Sequence, residues 1–280
     1  MSRLLRDRRG AFGLVVLLVV VVCALAAPLV TNGDPVGQHD IVATRFIPPL
    51  SSDAHGAFHP LGTDRFGRDV WTRLVYGARV SMGVGVLAVL ISLAVGVVVG
   101  ALAGYWRGPV SVALLALTDF ALAVPRVVLL LLLAALWQPS TALVVTVLGL
   151  TGWMGIARLV HGEVRSLAAR PFVEGAVAVG ARRLRILARH ILPNALTPVI
   201  VAAALGIGNA IILEGGLSYL GLGVQAPTPS WGNMIASGGD TLVNAPWVAT
   251  APGLALVLVV IACTQLGDAL RDVLDPNLRR

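Results

Sequence analysis

The sequence predicts an all-α polytopic membrane protein with six transmembrane helices. Three observations lead there. The first is composition: 57% of the 280 residues are hydrophobic, 12% are charged, and the mean hydropathy is +0.86. A soluble domain carries about twice that charged fraction. The second is the recurrence of apolar blocks of about 20 residues or more, each long enough to cross a hydrocarbon core of roughly 30 Å. The third is the distribution of charge. The net charge is +7 and every basic residue is arginine. Those arginines collect between the apolar blocks, which is how topology is set in membranes. It argues against a nucleic-acid partner.

Residues 1–10 carry Arg3, Arg6, Arg8 and Arg9 and form a cytoplasmic N-terminus. The first span follows at 11–30. Ala24-Leu25-Ala26 resembles a signal cleavage site, but the apolar run exceeds the about 7–15 residues of a signal core. An uncleaved helix is expected.

Residues 31–79 form a long outer loop with Pro35, Pro48, Pro49 and Pro60. Within it lies His59-Pro60-Leu61-Gly62-Thr63-Asp64-Arg65-Phe66-Gly67-Arg68-Asp69-Val70. Asp64 with Arg65, and Arg68 with Asp69, are expected to pair locally. His55 and His59 stand four apart and could share a metal if helical. The adjacent glycine and proline oppose a helix, so no metal site is assigned.

The second span is expected at 80–104. Ala88, Ser92, Gly96, Gly100 and Gly104 recur every fourth residue, a stripe that lets a neighbouring helix come close in lipid. The third span, about 111–137, belongs to an apolar stretch too long for a straight crossing, and Pro125 marks a bend. Asp119 and Arg126 fall inside it. Each would cost about 2.5–3.5 kcal/mol at mid-membrane. Two readings stay open: mutual pairing near the cytoplasmic interface, with Arg126 reaching toward Asp119, or a place on the transport pathway.

The fourth span covers 141–160 and ends in Gly152-Trp153-Met154-Gly155-Ile156-Ala157-Arg158, with Trp153 near an interface. Residues 161–193 form a cytoplasmic loop. In its second half Arg182, Arg185 and Arg189 share one helical side, and Leu184, Leu187 and Ile191 share another. The spacing predicts a short amphipathic helix broken at Gly180 and ended by Pro193.

The fifth span is expected at 194–213, with Asn209 a candidate for the pathway. An outer segment at 214–246 follows. There Glu214 is either an outer gate residue or an ordinary helix-end carboxylate. Pro229, Trp231 and Gly232 suggest a re-entrant turn with the tryptophan at the interface. The sixth span is 247–266, and 268–280 is a cytoplasmic tail. With six spans both ends lie inside. Fifteen arginines then face the cytoplasm and five the exterior, with Arg126 in a span. That satisfies the positive-inside rule.

Several chemistries are excluded. Without lysine the chain cannot build a P-loop, so it hydrolyses no ATP by that route. No HExxH, no GxSxG and no paired carboxylates occur, and no catalytic residue is assigned. Cys23 and Cys263 sit in apolar spans as packing residues.

Glu174-Gly175-Ala176, then Gly180, then His190-Ile191-Leu192-Pro193 resembles the EAA loop of ABC importer permeases, with Gly175 where that family has alanine. The segment from His59 to Val70, the run Glu214 to Gln225, Pro227 to Met234, and the tail Gly267 to Pro276 resemble the peptide/nickel branch of the same family. The branch typically has Ala-Phe-Pro-Ser where this chain has Ala123-Val124-Pro125-Arg126. The resemblance covers nearly everything after the first helix. It implies a type I ABC importer transmembrane domain whose permease core is 80–267, in the cell inner membrane.

By the same resemblance, the partners are a second homologous permease, two ATPase subunits holding ATP and magnesium, and an extracytoplasmic substrate-binding protein. No cofactor is implied for this chain itself. Glu174, Gly175, Ala176, Gly180, Arg182, Arg185, Arg189, His190, Leu192 and Pro193 would engage the ATPase. Glu214, Asn209, Asp119 and Arg126 are pathway or gate candidates. Gly62, Thr63, Asp64, Gly67, Arg68 and Asp69 form the outer-loop motif. The substrate would be a dipeptide, an oligopeptide, nickel or a related small solute. The rival is a secondary transporter or channel working without an ATPase. Such a protein would hold a driving-ion site of buried acids or broken helices at mid-membrane.

Overall fold

The computed structural model describes residues 7–31, 33–38 and 40–274. Arg3, Arg6, Asp275, Pro276, Arg279 and Arg280 lie outside the described residues. Among the described residues, five helices are long and apolar enough to cross a membrane, and the number is six if one bent pair is counted as a single span.

The first long helix, α1 (Arg8–Leu25), starts where the Asp7 side chain accepts from the Arg9 and Gly10 amides. A short turn, α2 (Ala27–Val30), continues it. The outer loop holds one turn of helix, α3 (Ile41–Thr44), and a two-stranded hairpin. Its strands β1 (Ser51–Ser52) and β2 (Phe58–His59) pair antiparallel, with Ser51 opposite His59. His59 is therefore in a strand and His55 in a turn, so the two histidines share no helical face.

Helix α4 (Val70–Tyr105) begins ten residues before the expected second span. The reason is Asp69, whose carboxylate caps it by accepting from Thr72 N at 2.7 Å. Helices α5 (Pro109–Ala123) and α6 (Arg126–Leu136) occupy the stretch expected as the third span and are bent by 79° at the break that holds Pro125. Helix α7 (Thr141–Ala168) outlasts the expected fourth span by two turns.

Helix α8 (Pro171–Ala178) is followed by α9 (Arg183–Ile186), a π turn (Leu187–Ile191) and α10 (Leu192–Tyr219). The last three form one continuous helix of 37 residues. Pro193 therefore does not end the segment. A proline removes one helix hydrogen bond, and two local adjustments absorb the loss. The π turn rearranges the ladder, Leu192 N reaching back to Leu187 O. The Asn194 side-chain amide donates to His190 O at 2.6 Å.

The expected outer segment is also more helical than its glycines and prolines suggest. Helix α10 runs on through Glu214 to Tyr219, and α11 (Trp231–Gly239) follows. A reciprocal cap of Ser230 and Asn233 starts α11. Helix α12 (Trp247–Leu274) includes the first half of the expected tail.

The bundle is organised by α4 against α7. Ala88, Ser92, Gly96 and Gly100 are buried along that seam. A Cβ on Gly96 would meet Ile156 Cβ and Trp153 O at 2.7 Å, and one on Gly100 would meet Val160 Cβ at 2.8 Å. The Ser92 hydroxyl donates to Gly149 O at 2.8 Å. The small-residue stripe is thus a close-approach face. Helix α10 packs on α4, α7 and α12, while α1 packs on α12 and α4. Gly13 near the start of α1 lies against Ala262 and Leu266 near the end of α12.

Candidate functional site: two ends of one helix bundle

The residues singled out by sequence fall into three groups. The first is the loop between α7 and α10. Helix α8 starts at Pro171, whose fixed φ suits the first helical position. It ends in a two-bond turn: Ala181 N donates to Ala176 O and Gly180 N to Val177 O. Gly180 has φ +80°, the left-handed conformation such an ending needs. A Cβ there would meet nothing within 4 Å, so its purpose is the turn and not close approach.

Beneath this loop is a buried apolar cluster that includes Val160, Val164, Val173, Ile186, Leu187 and Ile191. It fixes the loop to the ends of α4 and α7. The buried face is Ile186, Leu187 and Ile191; Leu184 points outward with 67% exposure, contrary to the expected stripe. A π turn has more residues per turn than an α-helix, which shifts the register of that face. Outside the cluster Glu174, Gly175, Gly180, Arg182, Arg183, Arg185, Arg189, His190 and Pro193 are exposed. Ala176 and Leu192 are half-buried. Val179, 89% exposed, sits beside Gly180.

The second group is the outer loop, where the motif proves to be an anchor. Thr63 is fully buried; its hydroxyl donates to Thr44 O at 2.5 Å and accepts from Ile47 N at 2.8 Å. Asp64 does not pair with Arg65. It accepts from Arg68 Nε at 2.8 Å and Nη2 at 2.7 Å, with Arg73 Nε at 3.7 Å. Asp69 does not pair with Arg68 either. It caps α4 and meets His59 Nδ1 at 2.9 Å. Gly62 and Gly67, with φ +72° and +73°, make the tight turns that fold the aspartates inward. The Trp247 indole donates to Thr63 O at 3.1 Å, tying the knot to α12. Asp53 on the hairpin accepts amides from Ala57 and His55, and the Ala57 bond chiefly draws its pKa below the usual value.

The third group lies within the bundle. Glu214 is fully buried in α10, five residues before its last residue, Tyr219. It accepts from Ser81 Oγ at 2.9 Å and Ser218 Oγ at 2.7 Å. Ser81 in turn accepts from Trp231 N at 3.1 Å, and Ser218 from Val224 N at 3.0 Å. Trp231 is buried as well, its indole donating to Leu74 O at 3.0 Å, so it is no interfacial anchor. Sequence reasoning missed this cluster. Its only signal was the isolated serines in apolar helices.

Asp119 pairs with Arg158 at 2.7 Å and not with Arg126, which instead donates to Thr151 Oγ1 and Leu148 O. The bend at Pro125 turns Arg126 away from α5 and toward α7. Asp119 is exposed on α5, and Asn209 is exposed on α10 beside the cavity that Arg126 enters.

Residues 96–280 match the family described as binding-protein-dependent transport system inner membrane component. The chain belongs to that family. Residues 1–49 match the N-terminal transmembrane domain of oligopeptide transport permease C. The dipeptide transport system permease protein DppC of Alkalihalophilus pseudofirmus is 36% identical over 278 residues, covering 99% of this chain and 89% of that protein. The di/tripeptide permease DppC of Pseudomonas aeruginosa is 38% identical, covering 97% and 89%. The oligopeptide permease OppC of Bacillus subtilis is 33% identical, covering 100% and 89%.

The fold is shared with the methionine ABC transporter MetNI in an inward-facing conformation, at TM-score 0.60 and 18% identity. That match covers 72% of this chain and 96% of the other. The protein is a multi-pass permease component with a type I ABC importer transmembrane fold. This membership disfavours the reading as a stand-alone secondary transporter or channel.

Proposed function

We propose that this permease carries peptides into the cytoplasm, and that separate ATPase subunits drive it through the segment 171–193. Both termini lie on the cytoplasmic side with that segment. A second homologous permease completes the pathway, and an extracytoplasmic binding protein delivers the substrate. ATP and magnesium belong to the ATPase subunits. Full-length similarity to dipeptide and oligopeptide permeases supports the substrate class.

The observation that carries the coupling role is the exposed apolar set Phe172, Val177, Val179 and Leu184, in the same segment as the exposed Glu174 and arginines. An apolar centre with a charged rim is the composition of a protein-docking surface. The set rests on a cluster shared with α4, α7 and α10, so a displacement of the loop moves those helices together. ATP-driven closure of the partner subunits would thereby tilt the bundle between two packed states.

A photo-crosslinker placed at Val179 or Leu184 of the assembled transporter should capture an ATPase subunit. Glu174→Arg should leave membrane assembly intact and separate ATP hydrolysis from uptake. Crosslinking to no ATPase subunit, or wild-type uptake by the charge-reversed variant, rejects the assignment.

A further inference from the structure

Arg126 is an arginine at the start of α6, within a long apolar stretch, and no described residue forms an ion pair with it. The nearest expected acid, Asp119, is engaged by Arg158. Arg126 makes two hydrogen bonds, to Thr151 Oγ1 at 3.3 Å and to Leu148 O at 3.2 Å. Both acceptors are neutral, and the bonds use two of the five N–H donors of a guanidinium. An uncompensated cation in a span is unfavourable, and such residues mark substrate or ion paths.

The side chain enters a cavity of about 190 Å³ between α4, α7 and α10. Ser92 and Asn209 are its other polar side chains; the remainder is apolar or glycine. Gly152, Gly155 and Gly206 keep it open, since none places a Cβ there, and Gly155 and Asn209 are exposed at its rim. A pocket that encloses a whole small ligand measures roughly 300–1,000 Å³. This one accepts an end group only. The Ser92 hydroxyl is spent on Gly149 O, which leaves the Asn209 amide beside the guanidinium. A planar cation beside an amide suits a carboxylate, which Arg can grip through two parallel bonds.

We propose that Arg126 is a specificity-determining residue that binds a carboxylate of the passing substrate, with Asn209 as an auxiliary polar contact. The proposal rests on the peptide-importer reading above and names the substrate group recognised within the bundle. The carboxylate belongs to either the peptide C-terminus or an acidic side chain.

The test uses the complete transporter with its binding protein in proteoliposomes. Uptake of trialanine is compared with trialanine amide, and of Ala-Glu-Ala with Ala-Gln-Ala. Ratios are compared between variants, so the binding protein's own preference cancels. A charge-assisted bond is equivalent to about a 10–150-fold preference. Wild type should favour the carboxylate member of at least one pair. Arg126→Gln should lower that ratio about tenfold or more, and Arg126→Lys should retain part of it. The pair that responds identifies the source of the carboxylate.

Asn209→Asp, which adds a negative charge at the rim, should lower the same ratio. It serves even if Arg126→Gln fails to assemble. Unchanged ratios in folded variants that still transport overturn the proposal alone. Absence of peptide uptake by wild type overturns the peptide reading and this proposal with it.

Discussion

Ser81 and Glu214 are joined across 133 residues of sequence by a 2.9 Å hydrogen bond, the serine hydroxyl donating to the carboxylate in a fully buried site. Ser218 and Trp231 extend this contact, so α4, α10 and α11 meet at one polar cluster. Glu214→Ala leaves two hydroxyls without their acceptor. A lost buried partner costs about 1–3 kcal/mol. The expected result is a lower melting temperature in detergent, with Glu214→Gln closer to wild type. Equal melting of Glu214→Ala and wild type would show that the cluster contributes nothing to stability.

Gly180 tests the turn after α8. Its φ of +80° and open surroundings make the difficulty purely one of backbone conformation. A left-handed residue with a side chain costs roughly 1–2 kcal/mol. Gly180→Val should therefore leave the protein assembled while impairing ATP-driven uptake. Gly180→Asn, which tolerates that conformation better, should retain more uptake. Equal uptake by both variants and wild type would remove the turn from the coupling account.

Gly100 tests the seam of α4 and α7. A Cβ would approach Val160 Cβ to 2.8 Å, closer than real contacts allow. Overpacking of this kind costs about 1–3 kcal/mol, and more for a larger side chain. Gly100→Leu should lower the yield of protease-resistant protein in membranes. Gly155→Ala, where nothing lies within 4 Å, should not.

Arg68 and Asp64 are almost completely buried, 5% and 4% exposed. Removing one partner of a buried pair costs about 3–5 kcal/mol because the other charge is stranded. Arg73 Nε at 3.7 Å from Asp64 softens that penalty for Arg68→Ala. The variant should show faster proteolysis of the 31–69 loop, with the helices unaffected. Wild-type cleavage rates would contradict the anchoring role.

By contrast, Arg158 and Asp119 are 56% and 57% exposed. Exposed pairs contribute about 0–1 kcal/mol. Asp119→Asn should shift the melting temperature by no more than about 4 °C, since about 1 kcal/mol corresponds to roughly 2–4 °C at this size. A large drop would mean that the pair is covered in the assembled transporter.

Much of this was legible in the chain. Apolar length revealed the crossings, and every-fourth-residue glycine and alanine revealed the α4 seam, because both depend on local pattern alone. Element ends were less legible. Asp69 starts α4 inside what reads as loop, and Asn194 with the π turn carries a helix through Pro193. Both depend on hydrogen bonds that a pattern of apolar residues does not display. Pairings were least legible. Neighbouring opposite charges invited Asp64 with Arg65 and Asp119 with Arg126, yet chain direction at Gly67 and Pro125 sent those side chains elsewhere. Glu214 was noticed, but its burial depends on two serines and a tryptophan from three separate segments.

The helix from Arg183 to Tyr219 is unbroken over 37 residues, about 55 Å at 1.5 Å per residue. One end carries the arginines beside Gly180, and Glu214 sits near the other. Bending along that length would concentrate at the π turn Leu187–Ile191 and at Pro193 and Pro198, all in its first half. Beyond Pro198 the helix runs on without a further proline to Glu214 and its serine partners, so under the proposed coupling that half would turn as one piece.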